Sequence, residues 1–186
     1  MKNRLCLAVG IVAVGGALVS CGTTGAGPTV SSDEQVDSQD ITLAKVPVLR
    51  STLEGSWGRP RVSVNADGSY RLTYRQGTTL NFVFVDGLVN PPPVPATPPQ
   101  WSEESFNEKK GEPELIYHSQ NWRQTQIMGK SVRWYQNDGG SGADFPAYRT
   151  VPFQLTAPDG RTATYRVEVC STSAEQAGKW IRQVGW

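Results

Sequence analysis

His118 is the only histidine in this 186-residue chain, so any imidazole chemistry rests on it. Brought close to Cys170 it would form a thiol–imidazole dyad, the arrangement that activates a sulfur nucleophile. No family signature surrounds Cys170, which closes the alternating stretch Ala163 to Val169, and a buried, inert thiol is the simpler expectation. A single histidine without a free cysteine pair leaves no set of soft ligands for a metal. Glu103 with Glu104, and Glu112 with Glu114, supply the two carboxylates that a glycosidase divides between acid and base or nucleophile. As close sequence neighbours they are read more simply as solvated positions on a helix start or a strand. The run Asn137 to Asp144 has oxygen ligands suited to calcium, but too few carboxylates and no closing glutamate, so a glycine-rich hairpin loop is expected. Neither a phosphate loop ending in Gly-Lys-Ser/Thr nor a Gly-x-Ser-x-Gly elbow is present. No catalytic residue, metal or cofactor is therefore assigned, and a non-enzymatic role is expected. A cell-wall hydrolase using His118, Cys170 or a carboxylate pair is the competing reading. A glycan-binding module is the third, because Trp57, Trp101, Trp122, Trp134, Tyr135, Trp180 and Trp186 are many aromatic side chains for so small a core.

The remaining reactive cysteine points to a different chemistry. Lys2 and Arg4 form a short positive start, Leu5 to Val19 is nearly all apolar residues and glycine, and the run ends in Leu18-Val19-Ser20-Cys21. Charge, apolar stretch and small residues in that order mark a secretory signal, and the stretch is shorter than the roughly 20 apolar residues of a membrane span. The ending resembles the lipobox of bacterial lipoproteins. That resemblance implies cleavage before Cys21, a diacylglycerol on its thiol and an acyl chain on the new amine. Several acyl chains hold a protein to a bilayer where one does not, each buried methylene contributing about 0.8 kcal/mol. Gly22 stands where aspartate retains enteric lipoproteins in the inner membrane, so the resemblance points to the outer membrane, on the periplasmic side, if the envelope is Gram-negative, and otherwise to a lipid anchor in the cell membrane.

Residues 1–20 are thus expected to be the leader and 21–40 a flexible tether, rich in Gly, Ser, Thr, Asp and Gln and without apolar periodicity. Without Lys2 and Arg4 the 18 basic residues fall to 16, against 17 acidic ones, and no basic cluster exceeds Lys109-Lys110. This balance argues against a nucleic-acid partner. Cys6 leaves with the leader and Cys21 is consumed by lipid, so Cys170 has no mate for an internal disulfide.

The elements that would position any site follow from periodicity. Ile41, Leu43, Val46, Leu49 and Leu53 suit a helix, stopped by Gly55 and Gly58-Arg59-Pro60. Val62/Val64, Tyr70/Leu72/Tyr74 and Leu80/Phe82/Phe84 alternate between glycine-bearing turns, with Asp86-Gly87 expected to turn the chain again. Residues 91–100 hold six prolines and are expected to space two half-domains, 41–90 and 101–186. Trp101 to Lys110 reads as a helix ended by Gly111-Glu112-Pro113, Leu115 to Tyr117 and Val132 to Tyr135 as strands, and Gln120 to Gly129 is ambiguous. Val151 to Ala157 and Ala163 to Val169, joined at Pro158-Asp159-Gly160, make the clearest hairpin. A final helix starts at Thr172, which has capping-box spacing to Glu175, and carries Ala174, Ala177, Trp180, Ile181 and Val184 on its apolar side. The expectation is an α+β fold: antiparallel meanders with helices on one face.

The two Gly-x-Pro stops recur 53 residues apart in the same order of elements, which suggests tandem units. The first half, from Ile41 through Gly58 and Pro60 to Leu80-Asn81-Phe82-Val83-Phe84-Val85-Asp86-Gly87, resembles the small lipoprotein domain of the BamE (SmpA/OmlA) kind. Tandem helix-plus-sheet units also occur in the beta-lactamase inhibitory protein. Both families work by binding proteins, so the resemblance implies an interaction or scaffolding module with an envelope protein partner. Within the meander the Leu80/Phe82/Phe84 side is bulkier and is expected to meet the helices. That leaves Arg71, Arg75, Asn81, Val83 and Val85 as the candidate interaction surface.

Overall fold

The computed structural model describes residues 40–140 and 145–186. Cys21, Gly22 and the expected tether lie outside them. The described residues form a mixed α+β fold: one large antiparallel sheet with an α-helix packed on one face.

A short 3-10 turn, Asp40–Leu43, and the two-residue strand β1 (Arg50–Ser51) precede a meander of β2 (Arg61–Val64), β3 (Tyr70–Arg75) and β4 (Phe82–Leu88). The hairpin β5 (Trp101–Asn107) and β6 (Glu112–His118) follows, then β7 (Arg123–Ile127), β8 (Lys130–Asp138), β9 (Ala147–Thr150), β10 (Phe153–Thr156) and β11 (Thr162–Cys170). Helix α1 (Ala174–Arg182) and β12 (Val184–Gly185), paired with β1, close the chain. The large sheet runs β2-β3-β4-β11-β9-β8-β7, with β10 also on β11.

The meander follows its alternation. Tyr70, Leu72 and Tyr74 point into the core, opposite Arg71, Thr73 and Arg75. The β2–β3 turn is closed by Asp67, whose carboxylate accepts from the Ser69 amide at 2.9 Å and the Ser69 hydroxyl at 2.6 Å. Those bonds hold the Asp67 carboxyl below its ordinary range. The Phe153–Thr156 and Thr162–Cys170 hairpin forms with Leu155 opposite Ala163, as its pattern requires. α1 begins one residue later than the capping-box spacing suggests: Ser173, not Thr172, is the cap, and its hydroxyl accepts from the Gln176 amide at 3.2 Å.

Other expectations are corrected. No α-helix spans Ile41 to Leu53. Instead residues 47–49 have no regular structure, Val46 and Leu49 are buried, and the Pro47 carbonyl accepts from the Tyr70 and Tyr165 hydroxyls at 3.2 and 2.9 Å. Trp101 to Lys110 is strand β5 and a turn, not a helix, so neither Gly-x-Pro follows an α-helix and the basis for tandem units is gone. The division into 41–90 and 101–186 does not describe the sheet either. β4 pairs with β11 over seven residues, from Leu88 opposite Thr164 to Phe82 opposite Cys170, so both halves build one core. Pro91, Pro92 and Val94 line a groove beside β8 and β10 rather than spacing two bodies. Asp86 and Gly87 are not a turn but lie inside β4. Gly87 is needed there because Tyr70, its cross-strand partner, lays its ring across it: a Cβ at Gly87 would sit 2.2 Å from that ring.

Burial holds the core tyrosines protonated. Tyr165 is pushed up to about 12 from 10.0, and Tyr70 higher still, despite the Leu49 amide that donates to its oxygen at 2.7 Å. In the unfolded chain both lose their protons near pH 10. Their contribution to stability is therefore complete below about pH 10; as pH rises from there it is lost through about 12 for Tyr165 and continues to fall above that for Tyr70. Denaturant unfolding repeated between pH 8 and pH 12, with tyrosinate absorbance followed in parallel, is expected to show stability falling only above about pH 10.

Candidate interaction site

The sheet has two unlike faces. On the helix side Val83 and Val85 join Tyr70, Leu72, Val167, Val169, Trp134 and α1 in the main core. Phe82 and Phe84 point the other way and form a small second cluster with Ala147 and Cys170. The expected orientation of β4 is thus reversed: Val83 and Val85 are 0% exposed and cannot belong to an interaction surface. The physical reason is steric. The helix side is already filled by tyrosines from β3 and β11, and the slimmer valines fit beneath them. Asn81 is half-buried and donates to the Gln76 side chain at 2.8 Å, while Leu80 is exposed at the strand's start.

Arg71 and Arg75 do lie on the face opposite the helix. Their guanidinium groups sit over the rings of Phe84 and Phe82, at 5.0 and 5.6 Å from the centroids. Arg71 also forks onto Asp86, Nε to Oδ1 at 2.7 Å and Nη2 to Oδ2 at 2.9 Å. Arg166, from β11, reaches the same carboxylate through Nη2 at 2.8 Å. Asp86 thereby bridges three adjacent strands, and its hydrogen bond lifts the Arg71 guanidinium above its ordinary range. One row further, Arg149 of β9 holds Glu168 at 2.7 Å. Arg61 on β2 pairs across from Thr73 and joins the same face.

The second feature is the β5–β6 hairpin, which stands apart as its own two-stranded sheet. Gln120 ties its exit to the body, donating to the carbonyls of Pro99 and Gln136 at 2.7 Å each and accepting from the Gln136 amide at 2.8 Å. The Gly139 amide donates to Ser102 O at 3.0 Å, and the Trp101 ring fills the space a side chain at Gly139 would need. Alternation along the hairpin gives one side Trp101, Glu103, Ile116 and His118, and the other Ser102, Glu104, Phe106, Pro113, Leu115 and Tyr117. Phe106 is 63% exposed, Tyr117 64% and Leu115 49%, so this second side presents an apolar patch to solvent. The patch was missed in the sequence because Trp101 to Lys110 reads as a helix, a period that scatters Phe106 away from Leu115 and Tyr117.

His118 is stacked on Trp101 at 4.1 Å, and its Nε2 lies 3.1 Å from Glu103 Oε1. Glu103 and the Trp101 ring together fix the orientation of the imidazole. Cys170 is held elsewhere, buried against Phe84 and Ala147, so the thiol and imidazole are set in separate surroundings. Of the remaining acids, Glu104 lies on the opposite side of the hairpin from Glu103, and Glu114 is paired with Asn107 and Lys110. Trp57 meets Trp180 edge-on at 4.9 Å, and Trp122 meets Tyr135 edge-on at 5.7 Å. Among the described residues no group of three or more His, Cys, Asp or Glu side chains is placed to hold a metal ion. Among them, too, no helix is long and apolar enough to cross a membrane. Comparison of the chain with protein-family models, curated proteins and solved structures finds no significant match.

Proposed function

We propose that the chain is an envelope lipoprotein, anchored to the outer membrane by acyl chains on Cys21, whose domain is a non-enzymatic interaction module for another envelope protein. The observation that carries this reading is the outward apolar side of the β5–β6 hairpin, Phe106, Leu115 and Tyr117. A two-stranded hairpin gains little stability alone, and three large apolar side chains on its open side do not serve this domain's own core. Burial of such side chains at an interface is what protein binding uses, with aromatics as the dominant anchors. The His118–Glu103 pair lies on the opposite side of the hairpin from these side chains.

The test is a photoreactive residue at position 117 in the full-length protein, irradiated in intact cells. A discrete crosslinked partner is expected, together with an intact mass showing acylated Cys21 as the new N-terminus. Phe106→Ser with Leu115→Ser, leaving the far-UV spectrum and Tm of the domain unchanged, is expected to lower the yield of that product at least about ten-fold, as loss of an interface anchor does. Undiminished capture by the folded variant would remove the hairpin from the interface, and an unmodified N-terminus would remove the anchor.

A further inference from the structure

Charge in this chain is sorted by segment. Between Cys21 and Lys45 stand Asp33, Glu34, Asp37 and Asp40, with no lysine or arginine among them. The face of the sheet opposite α1 carries Arg61, Arg71, Arg75, Arg149 and Arg166 against two carboxylates, Asp86 and Glu168, both already engaged. We propose that the acidic segment Asp33–Asp37 docks on this arginine face, passing round the β2 edge of the sheet.

The face is built to receive carboxylates. Arg71 and Arg166 each turn Nε and Nη2 toward Asp86, and Arg149 turns the same two nitrogens toward Glu168. The buried carboxylates thus fix the planes of three guanidinium groups and leave Nη1 of each for another acceptor, so little side-chain freedom is lost when one arrives. Arg61 and Arg75 are exposed beside them, nearest the edge strand. Phe82 and Phe84 beneath the guanidinium groups hold these side chains over the sheet.

The reach is sufficient. Asp40 opens the 3-10 turn that packs beside β2, and β2 is the outer strand of the sheet. The segment before it, residues 33–39, spans up to about 3.3–3.6 Å per residue when extended. Rounding one strand and a sheet face asks for about 5 and 10 Å. Single exposed ion pairs are weak and screened by salt, but attachment to the same chain makes the contact intramolecular and lets several pairs act together. The β5–β6 hairpin is also acidic, with Glu103, Glu104, Glu108, Glu112 and Glu114 against Lys109 and Lys110. It is tied beside β8, towards the end of the sheet away from β2, and so stands farther from Arg61 and Arg75 in the strand order than the segment that enters beside β2. Docking draws in the stretch between Cys21 and the domain, and any acidic partner of the arginine face must displace it. The inference depends on neither acylation of Cys21 nor the partner of the hairpin.

The test uses the full-length protein with a photoreactive residue in place of Gln35. At low salt, about 50 mM, crosslinks within one chain are expected on peptides covering residues 59–75 and 162–168. Their yield is expected to fall about five-fold at about 500 mM salt, where the screening length drops to a few ångströms. D33N/E34Q/D37N, which leaves residues 41–186 unaltered, and Arg61→Glu with Arg75→Glu, at exposed positions, are each expected to lower the yield comparably while the far-UV spectrum stays the same. Crosslinks scattered over the molecule or placed on α1 would overturn the proposal, as would a yield indifferent to salt and to both variants. Crosslinks between chains, from this probe or from one at Phe106 landing on the arginine face, would assign that face to a second copy and equally overturn it.

Discussion

Replacing Asp86 by alanine is expected to lower the unfolding free energy by about 3 kcal/mol, the lower end of what loss of one member of a buried ion pair costs. Asp86 has a side chain only 5% exposed and is the shared acceptor of Arg71 and Arg166. Without it the guanidinium groups of Arg71, which lies over the Phe84 ring, and of Arg166 lose the carboxylate that both are paired with. They are partly exposed, which lets water recover part of the loss and sets the estimate at the lower end. Urea unfolding at neutral pH measures this directly. A loss below about 1 kcal/mol would mean that Arg71 and Arg166 are hydrated well enough to do without the carboxylate. The companion variant, Asp86→Leu with Arg71→Met and Arg166→Met, is expected to regain most of the stability, because removing all the charges together leaves none stranded.

Trp180→Ala is expected to cost about 3–5 kcal/mol, the range for deleting a large aromatic side chain from a core. Trp180 lies on α1, is nearly fully buried and meets Trp57 edge-on. Its loss opens a cavity under the helix and strips Trp57 of its partner, so the segment before β2 loosens with it. A double-mutant cycle with Trp57→Ala is expected to return a coupling of about 0.5–1.5 kcal/mol, the worth of an aromatic pair beyond its buried area. Strict additivity in that cycle would show that the edge-on contact contributes nothing of its own.

Short-range chemistry was the legible part of this molecule. The β2–β4 meander, the Phe153–Cys170 hairpin and the apolar stripe of α1 follow from alternation, from turn residues and from helical spacing, all of which act within a few residues. The lipobox-like ending at Cys21 is likewise a local pattern, and the expectation of a lipid anchor rests on it, whereas the expectation of an interaction module rests on the resemblance of the first half. Asp86-Gly87 shows where local rules fail. The pair has the composition of a hairpin turn, yet it sits inside a strand because Arg71 and Arg166 neutralise the aspartate and the Tyr70 ring occupies the space beside the glycine. Trp101 to Lys110 has helix-compatible composition, but pairing with Glu112–His118 makes it a strand. No residue within β4 declares which of its sides is inner. Phe82 and Phe84 are the larger pair, and volume alone would place them in the core. The tyrosines of β3 and β11 had already filled that space, and their hydroxyls were spoken for by Pro47 and Leu49, contacts that span between 21 and 118 residues of sequence. The gathering of Phe106, Leu115 and Tyr117 follows from pairing within the β5–β6 hairpin, whereas the facing of β4, and with it the gathering of arginines on one side, is decided by which distant strands meet and is settled only when the large sheet assembles.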